Sequence, residues 1–189
     1  MADLRVRDMS LEDLRSLEIF ASSYRTDRYL RLEMEGGDPA KMWRLVPAQL
    51  PRPVTKVLDG GGVQALLELY GEASQLHFVG AVADSELIGL ATWRMEHWNH
   101  MLWLCDIRVR EEKRSHGVGS RLMEALHWSA LREDAGGIML ETQNLNLAAI
   151  EFYRTRGFEV AGINTRLYPG ADRSDPWEVA LYMHRGLDG

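Results

Sequence analysis

The chain has 189 residues, 46% hydrophobic and 26% charged, with 22 Lys+Arg against 28 Asp+Glu and a formal net charge of −6. This length and composition fit one globular domain with a sizeable core and argue against disorder, while the acidic balance argues against a sequence-independent grip on nucleic acid and suits cationic small molecules. One cysteine, Cys105, allows neither an internal disulfide nor a thiolate metal cage, and without a basic-then-apolar leader or a run near the roughly 20 apolar residues of a membrane span, a cytoplasmic protein with no membrane partner is expected.

The first strand candidate is Leu4–Arg7. Ser10-Leu-Glu-Asp13 follows, a serine with an acid three residues on, as in the box that satisfies the first amides of a helix. Leu11, Leu14, Leu17 and Ile19–Phe20 recur at helical spacing, and helical character is expected to continue to about Glu35, where Gly36-Gly37-Asp38-Pro39 stops it. Residues 47–62 carry three prolines and three consecutive glycines, so they read as a loop, too embedded to mark a domain boundary. Val63–Tyr70 reads as a short amphipathic helix. From Leu76 the period becomes that of strands: Leu76–Ala83, Leu87–Met95 and Met101–Arg110 are separated by short polar turns, which favours antiparallel hairpins. A glycine-containing loop, a helix from about Gly119 to Glu133, a strand Ile138–Gln143, a helix from about Asn146 to Arg156 and strands Phe158–Asn164 and Glu178–His184 complete the chain. The expected fold is a single α/β domain of the α+β type over residues 1–189. It has a mixed, mostly antiparallel central sheet flanked by helices on both faces, with residues 1–72 mainly helical.

The most informative segment is Leu104–Leu131. A strand ends at Val109, a basic loop follows (Arg110, Lys113, Arg114), and Gly117-Val-Gly119 opens a helix whose Leu122, Ala125 and Leu126 line up with Val118 as an apolar stripe. Glycines let main-chain N–H groups come close to a ligand, and a helix N-terminus presents unpaired N–H groups with a partial positive charge. Together these make an anion site for which a pyrophosphate is the natural occupant. No Gly-Lys-Ser/Thr follows, as a Walker loop requires, and Leu122 stands where the third glycine of a dinucleotide fingerprint would be. On the loop alone, a plain glycine turn before a helix explains the pattern equally well.

The string Arg114-Ser-His-Gly117-Val-Gly119 stands after a strand of the form Asp106-Ile-Arg-Val109. Downstream come Leu140-Glu-Thr-Gln143, Asn146-x-x-Ala149-x-x-Phe152-Tyr153 and Gly157-Phe158. From about Leu76 to His184 the chain resembles the GNAT superfamily of N-acetyltransferases. A closer likeness, to the streptothricin acetyltransferases, comes from the strand end at Asp106, the Leu-Glu-Thr-Gln string and the Gly162-Ile163-Asn164…Tyr168 stretch. Cys105 departs from it, standing where those enzymes tend to carry an acid before the aspartate.

The resemblance implies a GNAT-like fold and acetyl-CoA as cosubstrate, with no metal. It implies that Arg114, Ser115, His116, Gly117, Val118, Gly119 and Ser120 cradle the pyrophosphate. Ile107, Arg108 and Val109 would supply backbone contacts, where GNAT proteins splay the strand from its neighbour and leave donors for the oxyanion. Asn146 would contact the pantetheine arm, and Tyr153 would lie by the coenzyme sulfur and protonate the departing thiolate. Residues 1–72 would form the acceptor side and residues 73–189 the acetyl-CoA-binding core; a homodimer is a family-level expectation.

Acetyl transfer to an amine needs a neutral amine, a held thioester, charge stabilisation at the oxyanion and a proton for the thiolate. An alkyl ammonium has a pKa of about 10.4, so few molecules are free base at neutral pH; a carboxylate, directly or through water, can bind the cation and take its proton. Asp106 and Glu141 are the candidates, each near the C-terminal end of a strand that precedes a framing helix. Asp106 alternates with Cys105 and Ile107 and is expected on the face opposite both; capping a turn is its bland alternative, and an ion pair with a neighbouring Arg is that of Glu141. Asn146, Ile150 and Tyr153 share a helix face, although a tyrosine at this spacing equally fills a core. Cys105 as an acyl-carrying nucleophile would give a ping-pong mechanism, but no adjacent His lowers its pKa and an inert core thiol is expected. His97 and His100, around Trp98-Asn99, read as a hairpin turn rather than a metal pair. His116 could touch a phosphate or face solvent, and Trp43 and Trp177 could wall an acceptor pocket.

The expected activity is direct transfer from acetyl-CoA to a primary amine of a streptothricin-like cationic small molecule in a ternary complex. Tyr153 would be the acid, with Asp106 and Glu141 on the amine side. Acetylation of a protein or peptide amine, and a non-catalytic acetyl-CoA-binding sensor, remain open alternatives.

Overall fold

Ser10 and Asp13 close the anticipated capping box: Ser10 Oγ accepts the Asp13 N–H at 3.1 Å and Asp13 Oδ2 accepts the Ser10 N–H at 2.9 Å. The computed structural model that shows this describes residues 4–36, 42–59, 61–72, 75–168 and 178–187. The elements are β1 (Arg5–Asp8), α1 (Leu11–Ser16), β2 (Ser22–Glu35), β3 (Met42–Asp59), α2 (Val63–Tyr70), β4 (His77–Ala83), β5 (Glu86–Glu96), β6 (Met101–Val109), α3 (Val118–Arg132), β7 (Ile138–Gln143), α4 (Leu147–Arg154), β8 (Glu159–Asn164) and β9 (Ala180–Arg185). This is a mixed α+β fold with mostly antiparallel pairing. The chain packs as two compact units, one of residues 1–22, 57–140 and 186–189, the other of residues 23–56 and 141–185.

In the first unit β1, β4, β5 and β6 pair antiparallel in that order, and β7 joins β6 in parallel. Helices cover both faces. Leu14 of α1 and Leu66 of α2 join Phe78, Leu87 and Leu90 in one apolar cluster. On the opposite face α3 lies so close to β5 that a Cβ on Gly89 would come within 2.8 Å of Val118 Cγ1 and 3.1 Å of Leu122 Cδ1. Only glycine lets the first turn of α3 sit this low on the sheet.

The register of β5 against β6 slips between the pairs Thr92–Asp106 and Trp93–Leu104, which leaves Cys105 as a bulge. The bulge corrects the expected alternation. Cys105 packs against the Leu90 cluster, and Asp106, opposite Thr92, faces the same side. Ile107 lies on the other face, as the strand period requires.

Two expectations for the N-terminal third are overturned. The expected helix stops at Ser16, and residues 22–35 form β2 instead; Leu30-Arg-Leu-Glu-Met-Glu35 alternates apolar and charged side chains, a strand period built from residues that also favour helices. The expected loop 47–62 is mostly β3, which pairs with β2 as a two-stranded ribbon. Such a ribbon always has a free edge, where a residue without an N–H is tolerated. Pro47, Pro51 and Pro53 share one phase of the strand, whereas Ala48, Leu50 and Val54, in the other phase, pack with Tyr24, Tyr29 and Leu145.

In the second unit β9 lies between β7 and β8. Fully buried Asn144 joins this sheet to β2: its Nδ2 donates to Leu30 O at 2.8 Å and its Oδ1 accepts from Val179 N at 2.9 Å. The α2 and β7 bounds match the sequence reading, and β1, β4, β5, β6, α3, α4, β8 and β9 differ from it by one or two residues at an end. Residues 37–39 of the expected helix stop, and Trp177, lie outside the described residues.

Candidate functional site

The glycine loop belongs to the first unit. Where β6 ends, Arg110 is consumed as an anchor: its N–H donates to Ile88 O at 3.0 Å, its Nε to Leu87 O at 2.9 Å, and its guanidinium lies over the Phe20 ring. After a single 3-10 turn, Glu111–Lys113, Arg114 Nε donates to Val109 O at 3.2 Å and His116 Nδ1 lies 2.6 Å from Arg114 O. Ser115 and Gly117 have φ of 62° and 82°, which turns the backbone sharply into α3. Residues 111–117 and Ser120 are exposed, Gly119 is half-buried, and Val118 is buried as the anchor of the helix.

Gly117 is the N-cap of α3 and makes no side-chain capping bond. The first amides of a 15-residue helix are therefore not served by a side chain at the cap. A Cβ on Gly117 would meet no atom within 4 Å, so open space lies over the turn. Main-chain donors, a helix dipole and this space fit a diphosphate.

Just upstream, the Arg110 N–H to Ile88 O bond fixes the hydrogen-bonding phase of the ladder, in which Arg108, opposite Leu90, turns its N–H to β5. By the alternation of an antiparallel ladder, the main-chain N–H groups of Ile107 and Val109 point away from β5. On that other edge the β6–β7 ladder ends at the Leu104–Leu140 pair, while β6 runs on to Val109. Asp106 is occupied. Its Oδ2 accepts from Arg108 Nε at 2.7 Å in a pair whose side chains are 8% and 2% exposed, and Arg108 Nη1 donates to Phe20 O at 3.0 Å.

Glu141 and Gln143 are in the second unit, two residues apart on one face of β7. Tyr168 donates to Glu141 Oε1 and Tyr24 to Gln143 Oε1, each at 2.5 Å. Nearby Glu178 is paired with Lys56 Nζ at 2.6 Å. Burial pushes the Glu141 carboxyl above the usual carboxylate range; the Tyr168 hydrogen bond pulls it back and the Glu178 charge adds to the rise. Burial and then the carboxylates push both phenols well above the ordinary tyrosine value, Tyr168 the further because it donates to Glu141. Sequence reasoning found Glu141 but gave no role to Tyr24, Lys56 or Glu178. Tyr168 entered only as part of a matching string. The alternation Glu141-Thr-Gln143 was the local signal that a polar face exists here.

Asn146 is the N-cap of α4, its Oδ1 accepting the Ala149 N–H at 3.3 Å. Tyr153, on the same helix, is buried, its ring edge-on to Phe152 at 5.5 Å and tilted on Phe158 at 5.8 Å. Burial pushes the Cys105 thiol up to about 12, with Asp106 and Glu96 adding to the rise and Arg94 opposing it. His97 and His100 lie in the turn between β5 and β6, and Trp43 is an exposed residue of β3. Among the described residues no group of three or more His, Cys, Asp or Glu is placed to hold a metal, and no helix is long and apolar enough to cross a membrane.

The sequence profile of the Acetyltransferase (GNAT) family matches residues 48–158. The chain belongs to the GNAT family. Like its relatives it is an acetyl-CoA-dependent acetyltransferase, similar to streptothricin acetyltransferases. The Streptomyces lavendulae streptothricin acetyltransferase is 34% identical over 173 residues, covering 90% of this chain and 88% of that one. The crystal structure of nourseothricin acetyltransferase superposes with a TM-score of 0.77 at 30% identity, covering 97% of this chain and 98% of that chain. A Bacillus anthracis str. Ames protein assigned as a streptothricin acetyltransferase, in complex with acetyl coenzyme A, gives 0.78 at 26% identity over 99% of each chain.

Proposed function

We propose that this GNAT acetyltransferase acetylates a primary amine of a streptothricin-like cationic small molecule, by direct attack in a ternary complex. The observation that carries the reading is Glu141, a half-buried carboxylate tied on one oxygen by a phenol and raised by burial and by Glu178. Such a group binds an ammonium and accepts its proton more readily than an exposed carboxylate does. The similarity to streptothricin acetyltransferases supports the acceptor class.

Bound acetyl-CoA supplies the acetyl thioester. Residues Arg114–Ser120 hold the pyrophosphate on main-chain amides, with the exposed His116 beside it. The N–H groups of Ile107 and Val109 would serve as donors for the pantetheine arm and the oxyanion, and Asn146, which caps α4, would contact the arm. Glu141 Oε2 binds the ammonium and takes its proton, and Tyr153 Oη gives a proton to the departing sulfur. Of the two carboxylates expected on the amine side, Asp106 instead neutralises Arg108, which in turn grips Phe20 O. A thiol as weakly acidic as that of Cys105 makes an acyl-enzyme unfavourable.

Release of free thiol from acetyl-CoA, measured with streptothricin and with a panel of peptides, tests the proposal. Turnover confined to streptothricin supports it. Turnover confined to peptides overturns the acceptor assignment, and thermal stabilisation by acetyl-CoA without turnover of any amine overturns the catalytic reading.

A further inference from the structure

Tyr168 reaches Glu141 from a segment 27 residues downstream and donates its proton to Oε1 at 2.5 Å. Among the described residues Oε2 has no hydrogen-bond partner. We propose that Tyr168 is a positioning residue for the acetylation reaction, fixing the Glu141 carboxylate through one oxygen so that the other is presented to the amine. The proposal rests on Glu141 being the amine-side carboxylate, and it gives Tyr168 a role that acts through that carboxylate.

The geometry makes the phenol a one-way donor. Burial, the hydrogen bond to Glu141 and the nearby carboxylate charges hold the half-buried Tyr168 phenol well above the ordinary tyrosine range, so it keeps its proton and donates it to Glu141. An unanchored glutamate has three side-chain torsions to settle; one bound at a single oxygen loses most of that freedom before the amine arrives. The second phenol, Tyr24, holds Gln143 in the same manner on the same strand face. Two neighbouring side chains of β7 are thus each held by a tyrosine from a different segment.

The groups facing Glu141 pull in opposite senses. Burial and the Glu178 charge, itself paired with Lys56, favour the protonated acid; Tyr168 favours the carboxylate; Tyr24 is neutral and bound to Gln143. Proton acceptance needs the carboxylate. Removing the Tyr168 hydroxyl therefore moves the acidic limb of activity to higher pH, and removing the Glu178 charge moves it to lower pH. A tyrosine that only filled space would give neither pattern, since Tyr168→Phe keeps the ring.

The test is a 13C-NMR titration of the Glu141 carboxyl in the full chain, assigned with Glu141→Gln, beside pH profiles of kcat/KM for acetyl-CoA and streptothricin. Tyr168→Phe is expected to raise the titration midpoint and to lower kcat/KM about tenfold on the acidic limb, recovering at alkaline pH, with the KM for acetyl-CoA unchanged. Glu178→Gln is expected to lower the midpoint. An unmoved midpoint in Tyr168→Phe, or a shift of the same sign in both variants, overturns the positioning role. Full activity in Glu141→Gln overturns the functional reading instead, so the two failures are distinguishable.

Discussion

Asp106 and Arg108 form an ion pair 2.7 Å long within a single strand, two residues apart and almost wholly shielded from water. Removing one partner leaves the other charge buried without compensation, which costs about 3–5 kcal/mol. Asp106→Ala is therefore expected to lower the unfolding free energy, measured by urea titration, by that amount. The apolar pair Asp106→Leu with Arg108→Met should recover most of the loss. Were Asp106 the proton acceptor, the double variant would be stable but inactive; retained turnover in it assigns the pair to structure.

Gly117→Ala tests the loop. No atom lies within 4 Å of the added methyl, so the change acts only through a backbone held at φ 82°, a strain of roughly 1–2 kcal/mol. Calorimetry should show acetyl-CoA bound about tenfold more weakly. An acetyl-pantetheine thioester without phosphates should bind as it does to the unaltered protein.

Tyr153→Phe keeps the ring between Phe152 and Phe158 and removes only the hydroxyl. Turnover is expected to fall by about 10²-fold with coenzyme affinity nearly unchanged, as read from kcat and from direct titration with acetyl-CoA. Equal loss of both, or no loss, would remove the acid role.

Cys105→Ala should leave turnover within about twofold and show no acyl-enzyme burst. Because the thiol is pushed up to about 12, it remains protonated through neutral pH. Alkylation by iodoacetamide should be slow at pH 7 and accelerate only as the pH climbs toward that value.

Asn144→Ala would orphan Leu30 O and Val179 N at once. At about 1–3 kcal/mol for each orphaned group, a clear fall in thermal midpoint is expected.

Elements that bury one face of a regular period were legible from the sequence. The hairpins from β4 to β6, the α3 stripe and the Ser10–Asp13 box each carry their signal within a few residues. In β2, Leu, Met, Glu and Arg satisfy both periods, and the helical propensity of the individual residues masked the alternation. Prolines hid β3, because a two-stranded ribbon tolerates what a central strand does not. The bulge at Cys105 turns on one extra residue, which leaves no local trace yet reverses which face its neighbours share. The same limit applies to chemistry. Asp106 and Glu141 look alike in the sequence, but Arg108 claims one and Tyr168 the other, and the Lys56–Glu178 and Tyr24–Gln143 contacts join residues more than a hundred positions apart.

A ribbon of only two strands ordinarily invites a third from another molecule. With Pro47, Pro51 and Pro53 in one phase, three amide donors are missing from a single margin of β3, so an intruding strand would find no continuous ladder to extend. Substituting all three by valine should turn that margin into an adhesive one, visible as self-association in light scattering.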